Sequence, residues 1–396
     1  MSKSYLTAES VCAGHPDKLC DFIADSILDE CLKFDPSSRV ACEVLATKGH
    51  IIVAGEITCS VDIDFHLIVE EALKSRSYNP KDFIIDIYLH TQSADIASGV
   101  NNALEIRDGK ELLSTLGAGD QGTVYGYATN ETEEFLPLPL VLAHDLCKQV
   151  DKVRHEDIII GLGPDGKAQV TIEYNGIFPV RVKTIVLSIQ HDKDKDLRTL
   201  QTELYNKVLK PVFIKFPFDE DTEIYINPSG RFIEGGPSAD TGLTGRKIMV
   251  DTYGGLAFHG GGAFSGKDAT KVDRSGAYFA RYIAKNIVAS GLASKCEVAI
   301  SYAIGKADPV AISVNTFKTG EYTDDMITSI VNRIFSARPA SIIELFKLTK
   351  PIYKKTSVYG HFNDDKFPWE QVEQVSKLQS EIIDYVEKTC EGQKQI

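Results

Sequence analysis

The sequence predicts three similar α+β domains along one chain, each a sheet with helices packed on one face, and three observations lead there. A unit of helix, two-stranded hairpin and helix recurs three times without obvious sequence identity. The hairpin turns fall near positions 49, 176 and 306, spaced by about 130 residues, a third of the chain. The 396 residues exceed the usual size of one core, while 43% hydrophobic and 25% charged residues are ordinary for globular protein.

The first unit opens with a helix over about 17–33 that carries Phe22, Ile23, Ile27, Leu28, Cys31 and Leu32 on one stripe. Pro16 suits its first turn, where a backbone N–H has no partner to lose, and Asp35-Pro36 ends it. Apolar runs at 40–47 and 51–59, joined at Lys48-Gly49, read as a hairpin, and Phe65, Leu67, Ile68, Ala72 and Leu73 mark a helix starting near Asp64. In the second unit a helix around 140–150 precedes runs at 170–174 and 178–189 that flank Asn175-Gly176, the strongest short hairpin signal. Leu197, Leu200, Leu204 and Val208 then sit at helical spacing. The third unit has a helix over about 270–289, with Val272, Phe279, Ile283 and Ile287 inward and Gly291 as its stop. Runs at 296–304 and 310–317 follow, then a helix with Met326, Ile327, Ile330, Val331 and Ile334. The stretch 93–117 has no periodic apolar pattern, and a loop of that length inside a compact domain reads as a mobile active-site cover.

Charge and composition exclude several classes. A net charge of −13 repels nucleic acid and anionic membranes, so any anion site must be a local concentration of Lys, Arg and His. No apolar run reaches the roughly 18 to 20 residues that span a bilayer, so no membrane span is expected. The amino terminus has no apolar signal region, which predicts a cytoplasmic location. Eight cysteines without a C-x-x-C pair read as reduced core thiols. Acidic segments such as 192–196 and the tail beyond Gln371 read as solvated surface.

Within this acidic chain the cationic segments are informative. Residues 254–268 hold six glycines, which let backbone N–H groups approach an anion closely. Gly261 to Lys267 fits G-x-x-x-x-G-K, but Asp268 stands where a Walker loop needs Ser or Thr, and a loop of about 13 residues separates the lysine from the preceding apolar run. Lys267, Lys271 and Asp273 read instead as a cation and metal array at the start of a helix whose dipole attracts phosphate. Arg246-Lys247 offers a fork and a point charge suited to a polyphosphate, or is a solvated turn. Gly14-His15-Pro16-Asp17-Lys18 places a phosphate-seeking histidine and a Mg²⁺-type carboxylate at a helix start, where Asp17 is equally well a cap. Asp165-Gly166-Lys167 lies in what otherwise looks like an ordinary turn before a strand.

Together these segments resemble S-adenosylmethionine synthetases from residue 4 to about 370. The resemblance rests on Glu9-Ser10-Val11 with Gly14-His15-Pro16-Asp17-Lys18, Ala41-Cys42-Glu43, Gly55-Glu56-Ile57-Thr58, Gly117-Ala118-Gly119-Asp120-Gln121-Gly122 and Gly126-Tyr127-Ala128-Thr129-Asn130-Glu131. It continues through Pro164-Asp165-Gly166-Lys167, Asn227-Pro228-Ser229-Gly230-Arg231-Phe232, the run from Asp240 to Lys247, and the glycine-rich stretch that ends in Lys267-Asp268-Ala269-Thr270-Lys271-Val272-Asp273-Arg274. Ala94 and Phe258 depart from the family pattern, which bears on loop kinetics.

The resemblance implies three α+β domains with pseudo-threefold symmetry at residues 4–101, 112–231 and 232–371. It implies synthesis of S-adenosylmethionine from ATP and L-methionine, in homodimers with shared active sites, usually paired into tetramers. It assigns the polyphosphate to His15, Lys167, Arg246, Lys247, Lys267 and the backbone at Ala263, and the nucleoside region to Asp165, Arg231 and Phe232. Two Mg²⁺ per site fall to Asp17 and Asp273, and K⁺ to Glu43. Glu56, Gln92, Asp240 and Lys271 match positions that surround methionine, with Glu56 on its amino group, and the segment near 93–102 would act as a gate. The physical account agrees, because a thioether is an uncharged nucleophile that needs no base, and the difficulty lies in a triphosphate leaving group that gains charge. Two other readings remain open here: a P-loop NTPase and a regulatory subunit that kept the fold without the activity.

Overall fold

The computed structural model describes residues 3–93, 102–109 and 116–393. The first third holds β1 (Lys3–Val11), α1 (Pro16–Phe34), the hairpin β2 (Arg39–Thr47) and β3 (His50–Thr58), α2 (Phe65–Ser75) and β4 (Ile84–His90). The second holds β5 (Gly122–Thr129), α3 (Leu138–His155), the hairpin β6 (Leu162–Asn175) and β7 (Phe178–His191), α4 (Leu197–Leu204) and β8 (Glu223–Ile226). The last holds β9 (Gly242–Leu243), α5 (Val272–Ala289), the hairpin β10 (Lys295–Tyr302) and β11 (Ala311–Asn315), α6 (Asp324–Ile334), α7 (Pro339–Phe346) and α8 (Val375–Gln393). A succession of strand, helix, hairpin and helix therefore occurs three times, which is the expected repeat with one strand added in front.

That added strand never joins its own hairpin. β1 pairs antiparallel with β6, from Lys3 opposite Asn175 to Val11 opposite Lys167. β5 pairs antiparallel with β10, and β9 with β2 through Leu45–Leu243 and Ala46–Gly242. Each third thus lends a strand to the sheet of the next, in a closed cycle, and the sheets read β4-β3-β2-β9, β8-β7-β6-β1 and β11-β10-β5. β4 and β8 add in parallel to β3 and β7. The exchange also accounts for why these strands lack a clear signal in the sequence. Along β1 the first three residues are exposed and the buried positions include Ser10, so its apolar content is too low to mark a strand.

Local chemistry sets the helix ends. Pro16 occupies the first turn of α1, Asp17 sits where the helix dipole favours an anion, and Asp35 caps the far end by donating its N–H to the Cys31 carbonyl. The first hairpin closes through Lys48-Gly49 with Gly49 at φ 75°. In the second, Asn175 pairs with Phe178, so the two-residue loop is Gly176-Ile177 and Asn175 ends the strand. α1 packs on β2, α3 on β6 and β1, and α5 on β5 and β10. One apolar core runs through the first and last sheets and a second fills the central one. Each fully buried Leu or Ile in them contributes roughly 1.5–3 kcal/mol of transfer free energy. α5 lies so close to β5 that a Cβ on Gly126 would stand 2.0 Å from the Ala280 carbonyl carbon.

A buried polar staple holds α5 in place. The Arg281 guanidinium donates to both oxygens of Glu370 at 2.9 and 2.8 Å and to the carbonyls of Tyr127, Phe135 and Glu134. Lys285 adds a bond of 2.7 Å to Glu370. Among the described side chains seven cysteines are free, and of these all but Cys59 are buried. Among the described residues no helix is long and apolar enough to cross a membrane.

Candidate active site

The site is assembled by the strand exchange. Because Val11 of β1 lies opposite Lys167 of β6, the turn that follows β1 is set against the start of β6. The Cys12 N–H donates to the Gly166 carbonyl at 2.9 Å, and a Cβ on Gly14 would meet Pro164 at 2.5 Å. His15 and Asp17 therefore face the Asp165–Lys167 segment, from which they are separated by about 150 residues of sequence.

The β9 exchange brings the third segment. Asp17 accepts the Leu243 N–H at 2.9 Å and the Lys247 ammonium at 2.6 Å, with the Arg246 guanidinium 3.5 Å away. Burial pushes the Asp17 carboxyl up, but the Lys247 and Leu243 hydrogen bonds more than offset this and hold it below its ordinary value. A Cβ on Gly245 would stand 2.3 Å from that of Ala263, so this turn touches the glycine-rich loop. There Lys267 reaches Asp273, in the first turn of α5, at 2.6 Å. The array thus alternates, with Lys247, and Arg246 further off, on Asp17 and Lys267 on Asp273.

His15 is neutral. Burial, followed by the charge of Lys247, lowers its ring to about 3, with Lys167 and Lys18 acting the same way and Asp17 opposing. Its Nδ1 accepts the Asp17 N–H at 3.2 Å, which leaves the proton on Nε2, a neutral donor for a phosphate oxygen. Nitrogen-detected NMR of the free protein is expected to show an uncharged Nε2–H ring from about pH 5 to 8. A ring that titrates near its ordinary 6.5 would contradict this environment. The linked stability change has a definite sign: as pH falls through 6.5 toward about 3 the unfolded chain takes a proton that folded His15 refuses, so stability drops in that window.

Of the remaining expected residues, Asp165 and Glu43 lie within reach of the charges of this array. Burial raises Asp165 to about 6, with Asp240 and Asp17 adding to it, although Asp165 accepts the Gly236 N–H at 2.8 Å. Phe232 is tied to the end of β7, its N–H on His191 Nε2 at 3.1 Å, whereas Arg231 donates to the Lys193 carbonyl at the outer edge. Glu43 reaches solvent, yet desolvation by its neighbours, with Asp21 and Glu56, holds its carboxyl above the ordinary value against the pull of Lys267. Glu56 lies opposite Ala41, the residue that bridges to Lys267, and pairs with His90 at 3.2 Å. Lys271 is bound to Asp268, and Gln92 is half-buried beyond β4. Ala94 and most of the expected gate at 93–102 lie outside the described residues. Phe258 is exposed, its ring edge-on to Tyr125 at 5.6 Å.

Two findings go beyond the sequence reading. First, the G-x-x-x-x-G-K match has no Walker geometry: Lys267 bridges to Ala41 beside β2, and α5 starts only at Val272. Second, α1 carries four buried aspartates, Asp17, Asp21, Asp25 and Asp29, of which the sequence reading noticed only the first. Their four-residue spacing, which puts them on one stripe of the helix, was the available signal.

The N-terminal domain model of S-adenosylmethionine synthetase matches residues 3–101, the central domain model residues 115–232 and the C-terminal domain model residues 234–371. With the three in order along nearly its whole length, and a charged array assembled from all of them, the chain belongs to the S-adenosylmethionine synthetase family, the methionine adenosyltransferases that make S-adenosylmethionine from ATP and methionine.

Proposed function

We propose that His15, Lys167, Arg246, Lys247 and Lys267, with the backbone at Ala263, bind the triphosphate of ATP and carry its growing charge as the methionine sulfur attacks C5′. The observation that carries this reading is the alternation of Lys247 on Asp17 with Lys267 on Asp273 across two loops in contact at Gly245 and Ala263. Such an array takes up phosphate oxygens with its cations and divalent metal with its acids. Fixed donors aimed at the leaving group need no reorganisation during the reaction, which is why they favour the transition state.

The family uses Mg²⁺ and K⁺. Asp17 and Asp273 are hard oxygen donors, and among the described residues no three His, Cys, Asp or Glu side chains gather into a cage. Mg²⁺ typically takes one or two carboxylates and completes its shell with phosphate and water, so this donor set fits it. Bound there, the metal neutralises phosphate charge. Glu43 is the K⁺-associated carboxylate. Asp165, Arg231 and Phe232 take the nucleoside, Asp240 lies between nucleoside and methionine, and Glu56, Gln92 and Lys271 line the methionine side, with Glu56 on the amino group.

Arg246 and Lys167 are half exposed on the single chain and Asp240 lies at its surface, which suits a site shared between the two chains of a homodimer, and pairing into a tetramer belongs to the same reading. The domain limits 4–101, 112–231 and 232–371, a gate at 93–102, a cytoplasmic location and hydrolysis of the bound triphosphate belong to the same reading. With ATP, methionine, Mg²⁺ and K⁺, phosphorus NMR and chromatography are expected to find a sulfonium product, pyrophosphate and phosphate. Formation of ADP, or triphosphate release that does not depend on methionine, would overturn it.

A further inference from the structure

α1 carries Asp17, Asp21, Asp25 and Asp29 on one stripe, and an aspartate without solvent is rare unless its partners are built in. Asp21 and Asp25 are fully buried, and each is occupied by a different loop of the last third. Asp21 accepts the Gly245 N–H at 2.8 Å and the buried Lys18 ammonium at 2.9 Å. Asp25 accepts the Gly266 N–H at 2.9 Å, the Ser265 hydroxyl at 3.0 Å and both ends of the Arg274 guanidinium at 2.8 and 3.0 Å. Arg274 in turn donates to the Lys267 carbonyl at 3.1 Å and the Thr356 hydroxyl at 3.0 Å. Asp21 therefore fixes the residue before Arg246, and Asp25 fixes the residue before Lys267 together with the residue after Asp273. Asp29 is different, because it accepts the N–H groups of Tyr353 and Lys354 at 2.9 Å and holds neither loop.

Burying a carboxylate and its partners sets a desolvation penalty against their attraction, so the arrangement is better explained by geometry than by net stability. The Lys267 side chain is a flexible stem whose tip can be placed only if its backbone is, and misplacement by about 1 Å can cost about a hundredfold in rate. We propose that Asp25, assisted by Asp21 one turn before it, is a positioning residue for the transfer reaction, holding the Lys267 loop and the start of α5 in the register that lets Lys267 and Asp273 act on one triphosphate. This rests on the roles given above to Lys267 and Asp273.

The test compares two like substitutions on the same stripe of α1. Asp25→Asn keeps an acceptor of the same size but no longer meets the Arg274 fork with a charge. It is expected to lower kcat about 10- to 100-fold, as loss of an outer-sphere partner commonly does, to weaken ATP binding measured by calorimetry without methionine, and to leave the methionine KM unchanged. Asp29→Asn is expected to lower the thermal midpoint while keeping kcat. If both variants lose thermal stability and keep kcat, or both lose kcat only in proportion to unfolded protein, Asp25 is merely structural and the proposal fails. Should Asp25→Asn not fold, Ser265→Ala removes one hydroxyl from the same carboxylate. A lowered kcat in that variant supports the role, and a native kcat overturns it. Lys267→Ala separates the two levels: native turnover there removes the lysine from the mechanism, whereas a crippled Lys267→Ala beside a native Asp25→Asn removes only the positioning role.

Discussion

Lys267→Ala is expected to lower turnover at least about a hundredfold while leaving methionine affinity nearly unchanged. The lysine sits with its backbone bridged to Ala41 and its ammonium 2.6 Å from Asp273. In the proposed assignment it holds phosphate oxygens, while methionine falls to Glu56, Gln92, Asp240 and Lys271. Removing one preorganised donor from a developing anion typically costs about 2.7–4 kcal/mol of transition-state stabilisation, a factor of about 10² to 10³. Because the charge grows as C5′–O breaks, the loss should appear in kcat more than in the methionine KM. Asp273 loses its cation but remains partly exposed at its helix start, so folding should change little. Steady-state kinetics with a thermal melt decide the matter: turnover within a few-fold of the parent would exclude the lysine from the chemistry, and a large fall in the melt would reassign its role to stability.

The largest loss of stability is expected from Arg281→Ala, at about 3–5 kcal/mol. Its guanidinium is fully buried, bonded to Glu370 at 2.9 and 2.8 Å and to three backbone carbonyls. Truncation strands Glu370, also buried, and takes a donor from the carbonyls of Tyr127 in β5 and of Glu134 and Phe135 in the turn after it, of which Phe135 keeps the Thr129 N–H. Lys285, at 2.7 Å, offsets only part of the orphaned charge. Denaturant unfolding is the measurement. A decrease below about 1 kcal/mol would mean that water reaches Glu370 on truncation, and the triple change of Arg281, Lys285 and Glu370 to Met should cost less than Arg281→Ala alone, because it removes every member of the buried charge cluster.

How legible each feature was follows from the range of the interaction that creates it. The α1 stripe of Ile23, Ile27 and Cys31, the stop at Asp35 and the turn at Gly49 are local, and their periodicity or backbone demand is written within a few residues. The charged groups were less plain one by one: Asp17 read equally well as a cap, Arg246-Lys247 as a solvated turn and Lys167 as part of an ordinary turn, and only the resemblance to S-adenosylmethionine synthetases drew His15, Asp17, Lys167, Arg246, Lys247, Lys267 and Asp273 into one expected site. β1, β5 and β9 were not legible, since a strand that completes another third's sheet needs only a compatible edge and carries little apolar signal of its own. Asp21, Asp25 and Asp29 were passed over for a related reason, as charged residues on a helix are usually solvated.

The sequence by itself therefore determined three repeating units and, through motifs in order along the chain, the family to which it belongs. Only the tertiary structure decided that the units exchange strands in a cycle, that this exchange sets His15 beside Lys167 and Asp17 beside Lys247, and that a stripe of buried aspartates holds the loops in place. The reason is that hydrophobic periodicity records which face of a segment leaves water. Which distant edge or carboxylate then receives a given backbone N–H is fixed by complementarity between segments more than two hundred residues apart, and no local pattern carries that information.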